Sequence, residues 1–449
     1  MDEARRRVSR RDFLRLAAAG GGAALLAACG APQSGGGSAS EGGAAAEPAA
    51  PATGGGATTL KIFNFGGEAD QVIYSAAYDR FKQSHPNVTI EDNFVPVTTW
   101  SEYTNKVVAQ VAGGQAPDII NIAIEGTRLI VSKGLLMPLD ELLTNDPGGK
   151  ELIDDVAQPL IDAFKVDGKI WQVPHSWNNM VIYYNTKIFE EAGIEPPKPD
   201  WTWQDFLTIA KQLTTGSGAD QVYGFAIPNF NFGLTPWFLT NDTYQLTADW
   251  SDSNLTDPKM LEAITFVHDL IHVHKVAPSV EGANNEALFS SGKVAMSGWG
   301  HWPIQGFLAS EFRDFDVQFW PRNTKGTSVH GVGGWGIYAE SPNKELAWEL
   351  IKELTSKETI QATAEAGVAI PARRSVAYSE AFLKFPSNSK IFYDSLEDSK
   401  PVPSPANFNE FETIFMRHVG EIFAGTVTPE AGLAAAHEEL SAAMAKLQG

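Results

Sequence analysis

From residue 58 onward, apolar and polar positions switch between two periods, two and about 3.6 residues. Thr58–Phe65, TTLKIFNF, is alternating and β-rich, and predicts a strand that ends at Gly66-Gly67-Glu68. Across Asp70–Ser84, Val72, Ile73, Ala76, Ala77 and Phe81 fall at helical spacing. Val88–Phe94 returns to strand and Trp100–Gly113 to helix. A turn at Ala116-Pro117-Asp118 then leads into the buried strand Ile119–Ile122, and Gly126–Lys133 is the next helix. This β-α-β-α-β rhythm predicts an α/β fold with crossover helices on a mixed or parallel sheet.

The same switch recurs in Asn285–Pro303. Glu286–Phe289 suits a helix, and Ser290-Ser291-Gly292 ends it, with Gly292 as the left-handed cap. Val294-Ala295-Met296 is a short run of buried-strand type. Gly298 and Gly300 bracket Trp299, and Trp302-Pro303 opens a further helix. In open α/β sheets ligands bind beyond the carboxyl ends of strands. Trp299 is therefore the first candidate for a ligand-stacking ring; the alternative is a Trp that fills the core.

The first 57 residues follow different rules. Arg5, Arg6, Arg7, Arg10 and Arg11 form a basic start, and Ser9-Arg10-Arg11-Asp12-Phe13-Leu14 matches a twin-arginine export pattern. Leu16–Ala28 is apolar but too short to span a bilayer. Leu26-Ala27-Ala28-Cys29-Gly30 resembles a bacterial lipobox, so residues 1–28 are expected to be a signal removed before a lipidated Cys29. Residues 29–57, dominated by Gly, Ala, Ser and Pro, are expected to be a disordered linker with a span of about 30 Å.

The formal charge of the 449-residue chain is −20. The signal carries six Arg against three acidic residues, so its loss leaves −23. That acidity disfavours nucleic acid as a partner. Cys29 is the only cysteine, which excludes disulfides and thiol catalysis from the globular part. No phosphate-cradling GxxxxGK[ST] and no GxSxG elbow occurs, so no enzyme is indicated. His268 and His272 lie four apart on a helical stretch, a spacing found in metal sites. Asp269 stands where the metalloprotease motif needs Glu, and no metal or other cofactor is expected.

Tyr78–Ile120, YDRFKQSHPNVTIEDNFVPVTTWSEYTNKVVAQVAGGQAPDII, resembles the first lobe of the extracellular solute-binding protein family 1, the carbohydrate ABC-transporter substrate-binding lipoproteins. So do Gly168–Pro174, Val181–Asn185, Ala192-Gly193-Ile194, Trp201–Phe206, Gly292–Met296, and Gly333–Ile337 followed by Ser341–Trp348. The resemblance implies a two-lobed periplasmic-binding-protein-like fold of type II, each lobe a mixed sheet flanked by helices, joined by a hinge. It places lobe one at 58–174 and 316–358 and lobe two at 178–315 and 359–449. Crossings are expected near Pro174–Trp177, near Asp314–Val317 and after the helix Lys344–Thr355.

It further implies a monomer that captures a sugar between its lobes and delivers it to a membrane permease while tethered to the outer face of the cell membrane. Sugars need flat aromatic faces and polar side chains for hydroxyls. Candidates at predicted strand ends are Asn64, Phe65, Glu68, Glu125, His175, Trp177, Asn178, Asn229, Phe230, Asn231, Trp299, His301, Trp302, Gly333, Gly334, Trp335 and Arg373. Pro405–Phe411 opens a late helix where related proteins place contacts. For each polar residue alone, surface or capping duty is the competing role. Two other functions remain open: a trap for a polyamine or other cation, given the acidity, and an extracytoplasmic glycosidase.

Overall fold

The computed structural model describes residues 57–447 apart from Pro96 and Thr98. The expected export signal, Cys29 and the expected linker up to Gly56 lie outside the described residues.

Three sheets occur among the described residues: a larger one, a smaller three-stranded one and the antiparallel pair of Lys165–Val166 with Lys169–Ile170. The strands are β1 (Thr58–Asn64), β2 (Val88–Phe94), β3 (Ile119–Ala123), β4 (Lys165–Val166), β5 (Lys169–Ile170), β6 (Val173–Asn179), β7 (Val181–Asn185), β8 (Met296–Trp299), β9 (Phe315–Gln318), β10 (Val329–Ile337), β11 (Ile370–Pro371) and β12 (Lys400–Pro401). The larger sheet has the order β11-β6-β10-β3-β1-β2, with β12 beside β10. β1 runs parallel to β2 and β3, whereas β10 is antiparallel to β3 and β6. The smaller sheet is antiparallel, in the order β8-β7-β9.

Apolar spacing decides which helix covers which face. Helix Glu68–Ser84 buries Ile73, Tyr74, Ala77, Tyr78 and Phe81, and packs with helices Lys344–Leu354 and Lys357–Ala366 on one side of the larger sheet. On the other side, helices Trp100–Ala112 and Ile124–Ser132 complete a core of Phe63, Tyr103, Val107, Ile120, Ile122 and Ile130. Thr99 caps the first of these by accepting from the Glu102 amide at 3.2 Å. Beside the smaller sheet, helices Trp203–Leu213, Asn231–Thr240 and Pro258–His272 enclose Trp203, Phe206, Phe225, Trp237 and Trp320, whose rings meet edge to face. Helices Phe408–Phe423 and Pro429–Ala445 pack against that group.

Strand pairing places the passages of the chain between the larger and the smaller sheet. β6 continues through Pro174–Trp177 to Asn179, because it pairs with β10 as far as His330↔Asn179. Met180 alone separates it from β7. The second passage falls between β9 and β10, after Gln318, since Phe315–Gln318 pairs with β7 in the smaller sheet. β11 and β12 return residues beyond 359 to the larger sheet. At the junction the Ser328 hydroxyl donates to the Met180 carbonyl at 2.7 Å and accepts from the Met180 amide at 3.4 Å. Both residues are buried.

Ser328→Ala strands both backbone groups of Met180, so a loss of about 1–3 kcal/mol is expected in denaturant unfolding. An unchanged midpoint would mean that the junction does not rely on this hydroxyl.

Candidate functional site

Helix Ile124–Ser132 starts directly at the carboxyl end of β3 and fixes the site. Gly126 lets it approach helix Trp100–Ala112: a Cβ there would lie 2.5 Å from the Thr104 hydroxyl and 2.9 Å from the Ile122 side chain. Buried Gln172 locks the same turn. Its amide donates to the Ile122 carbonyl at 2.7 Å, and its carbonyl accepts from the Thr127 hydroxyl at 2.7 Å.

This docking sets Glu125, in the first turn, against Gly331 of β10. A Cβ at Gly331 would meet Phe232 at 3.3 Å and Glu125 Oε1 at 3.7 Å, so strand, carboxyl and ring crowd together. Glu125 Oε2 is buried without a hydrogen-bond partner. Burial pushes its carboxyl up to about 7, with the Glu412 charge adding to the shift. Burial also raises Glu412, which accepts from the Ser101 hydroxyl. Opposite Gly331 and Gly333, β10 pairs with Asn178 and Ser176, both half-buried. Asn178 Oδ1 accepts from the His301 amide at 2.9 Å. Trp302 is half-buried and its ring lies 6.2 Å from that of exposed Phe230. Phe65 is half-buried and stacks on Trp100 at 4.1 Å.

Glu125, Asn178 and Trp302 are half-buried and Phe230 is exposed, Phe65 sits on Trp100, and Glu68 and Asn229 stand exposed. The other candidates are placed elsewhere. Trp299 is 4% exposed and packs among Tyr183, Phe289 and Phe307. The room left by its flanking glycines is already filled, Gly298 by Trp320 and Gly300 by Trp302 and Asn178. Trp335 is fully buried between Tyr74 and His175, and Trp177 lies against Tyr393. Gly334 has no room for a side chain, because Phe164 lies where its Cβ would stand. Gly333 is likewise crowded by His175 and Ser176.

The buried polar candidates serve the fold as it stands. Asn121 Nδ2 donates to Asn64 Oδ1 at 2.8 Å and Asn64 Nδ2 to Asp92 at 3.2 Å; Tyr78 also donates to Asp92. Asn121 Oδ1 is left to accept from His175 at 3.2 Å, which puts the His175 proton on Nε2. Burial lowers His175 to about 3, so it is neutral. His301 stacks on Phe382 and contacts the Gly367 carbonyl through Nδ1; burial lowers it to about 4. Asn231 is buried and accepts from Gln245 at 3.1 Å. Arg373 is consumed by ion pairs: Nη1 and Nη2 reach Glu151 at 3.0 and 3.1 Å, Nη1 also reaches Asp155, and Nε donates to the Thr355 carbonyl. His268 and His272 stack at 4.5 Å, and His272 Nε2 contacts the Phe423 carbonyl. Among the described residues no group of three or more His, Cys, Asp or Glu is placed to hold a metal.

Trp100, Ser176, Phe232 and Glu412, which the sequence analysis did not single out, stand beside these candidates. Phe232 lies beside the predicted Phe230 and Asn231 in the same run.

Two sheets joined by crossing strands, with polar and aromatic groups where they meet, define a two-lobed solute-binding fold. The chain belongs to the bacterial extracellular solute-binding protein family, whose model matches residues 66–361. That family comprises binding proteins rather than enzymes, and its description places them outside the cytoplasm. A binding protein of Brucella abortus is 24% identical over 390 residues, covering 82% of this chain and 88% of the relative. The same fold occurs in a substrate-binding protein of Listeria monocytogenes solved with cycloalternan, at TM-score 0.77 and 24% identity over 86% of this chain and 99% of that one. It occurs also in a solute-binding protein of Thermotoga lettingae bound to α-D-tagatose, at TM-score 0.75 and 22% identity over 86% and 100%.

Two outcomes are expected. Trp299→Ala should cost about 3–5 kcal/mol of stability while the folded fraction keeps its ligand affinity, as unfolding and calorimetry together would show. A large loss of affinity at full stability would return Trp299 to the ligand. For Glu125, the folded carboxyl titrates above its ordinary 4.5, near 7. Its contribution is therefore fully present below pH 4.5 and is lost as pH rises toward 7. Glu125→Gln should flatten the fall in melting temperature between pH 5 and pH 7.5; an unaltered slope would show that Glu125 is ionised throughout.

Proposed function

We propose that this protein is the extracytoplasmic binding component of an ABC transporter, that it captures a neutral sugar or oligosaccharide between its two lobes, and that it passes the cargo to a membrane permease. A lipid on Cys29, after removal of residues 1–28, would hold it to the membrane, and it would act as a monomer. The observation that carries the reading is the Glu125 carboxyl beside Gly331, whose buried Oε2 has no hydrogen-bond partner, with half-buried Ser176, Asn178 and Trp302 on other segments. A carboxyl held near neutrality both donates and accepts a hydrogen bond, which is what a sugar hydroxyl requires. The relatives add support: one named arabinooligosaccharide-binding protein, from Halalkalibacterium halodurans, is 24% identical over 266 residues.

A cationic cargo is the second reading, because Glu125 and Glu412 interact. Burial shifts both toward the uncharged form, which weakens their hold on a cation. A glycosidase is set aside by the family of binding proteins.

Thermal-shift and calorimetric measurements with maltotriose, arabinotriose, tagatose and spermidine separate these readings. A sugar at 100 times its dissociation constant should add about 2.7 kcal/mol. Trp302→Ala should then weaken that sugar about tenfold or more. A shift with spermidine alone would replace sugar by cation. Cys29→Ser should move the protein from the membrane to the soluble fraction, and a variant that still pellets with membranes would remove the anchor.

A further inference from the structure

Among the direct contacts between the two sides, two are made by side chains of helices Trp100–Ala112 and Ile124–Ser132. Helix Phe408–Phe423 belongs with the helices beside the smaller sheet, and helix Trp100–Ala112 packs on the larger one. Yet Ser101 donates its hydroxyl to the Glu412 carboxylate. Asn409 donates to the Ser101 carbonyl at 3.2 Å and to Asn105 Oδ1 at 2.6 Å. The second is made by Arg128, whose guanidinium lies over the Trp250 ring at 5.0 Å. Arg128 rides on helix Ile124–Ser132 of the larger sheet, whereas Trp250 comes from the loop between helices Asn231–Thr240 and Pro258–His272.

That loop is built to present the ring. Trp250 has φ 58°, a left-handed backbone uncommon for a bulky side chain. Short bonds hold it there: the Trp250 amide donates to the Thr247 carbonyl at 2.9 Å, and the Thr247 hydroxyl accepts from the Ser251 and Asp252 amides at 3.2 and 3.1 Å. The Thr247 amide closes the loop onto the Asp252 carbonyl at 2.9 Å. These bonds hold the left-handed backbone that sets the direction of the ring.

We infer that Arg128–Trp250 and Ser101–Glu412–Asn409–Asn105 form an interlobe clasp that holds the cleft shut by protein-to-protein contact. Cargo then binds a protein already biased toward closure, and release requires the clasp to part. The inference concerns the protein's own motion and does not depend on which cargo is carried.

Spin labels test it without any ligand. A Cys29→Ser background removes the native thiol, and Lys133→Cys and Ala435→Cys place labels at exposed positions on the two sides. Electron–electron distance measurement should give a short, narrow distribution for this parent. Ser101→Ala/Asn105→Ala/Arg128→Ala should shift it to longer, broader values. Trp250→Ala/Asn409→Ala/Glu412→Ala, which removes the same contacts from the opposite side, should do the same, and it reports alone should the first variant fail to fold by circular dichroism. A parent that is already long and broad, or variants that match a short parent, would overturn the clasp.

Discussion

One hydroxyl ties the two halves of the molecule. Ser328 bonds both backbone groups of Met180, at the single residue where β6 of the larger sheet gives way to β7 of the smaller. Ser328 directly precedes β10, the strand that returns the chain to the larger sheet. The two crossing segments are thus pinned side by side within one residue of both sheets. Asn179 adds a second pin, donating to the Phe392 carbonyl at 3.0 Å. With backbone polar groups satisfied there, the junction tolerates burial.

β6 and β10 leave that junction side by side, with Asn178 opposite Gly331 and Ser176 opposite Gly333. Successive residues of a strand point to opposite faces. Ser176 and Asn178 stay half-open, while His175, Trp177 and Asn179 turn into packed layers. Glycine at 331 then removes the one side chain that would separate Glu125 from Phe232.

This alternation explains how far the sequence could be read. The elements were legible because their period is their physics: β2 lies at Val88–Phe94 as expected, and Gly292 caps its helix at φ 73°. Strand ends were legible too, but not the face each residue takes there. Trp299 and Trp335 lie at or near strand ends and resemble ligand platforms by position alone. Both are drawn into the layers between sheet and helix, where Tyr183 and Phe307 or Tyr74 complete their packing. Arg373 likewise carries a charge that sugar chemistry would use, but its partners Glu151 and Asp155 lie more than 200 residues away in sequence. No local pattern reports such a pairing. Asn178 and Trp302, singled out from strand rhythm and chemistry, remain half-buried.

A two-state trap needs contacts of two strengths. The junction must persist through opening, and buried, fully paired backbone groups suit that, since each costs about 1–3 kcal/mol to strand. Contacts across the mouth must part on each cycle. Exposed or half-exposed hydrogen bonds contribute about 0.5–1.5 kcal/mol each, and an accessible cation–π pair about 0.5–1 kcal/mol. A handful of such contacts amounts to a few kcal/mol, the range over which a ligand's preference for one state redistributes a population. Stronger closure would leave the cleft too rarely open to load, and weaker closure would leave the work of shutting it to the ligand alone. The division of this protein's hydrogen bonds between a buried junction and a shallow rim is what that balance demands.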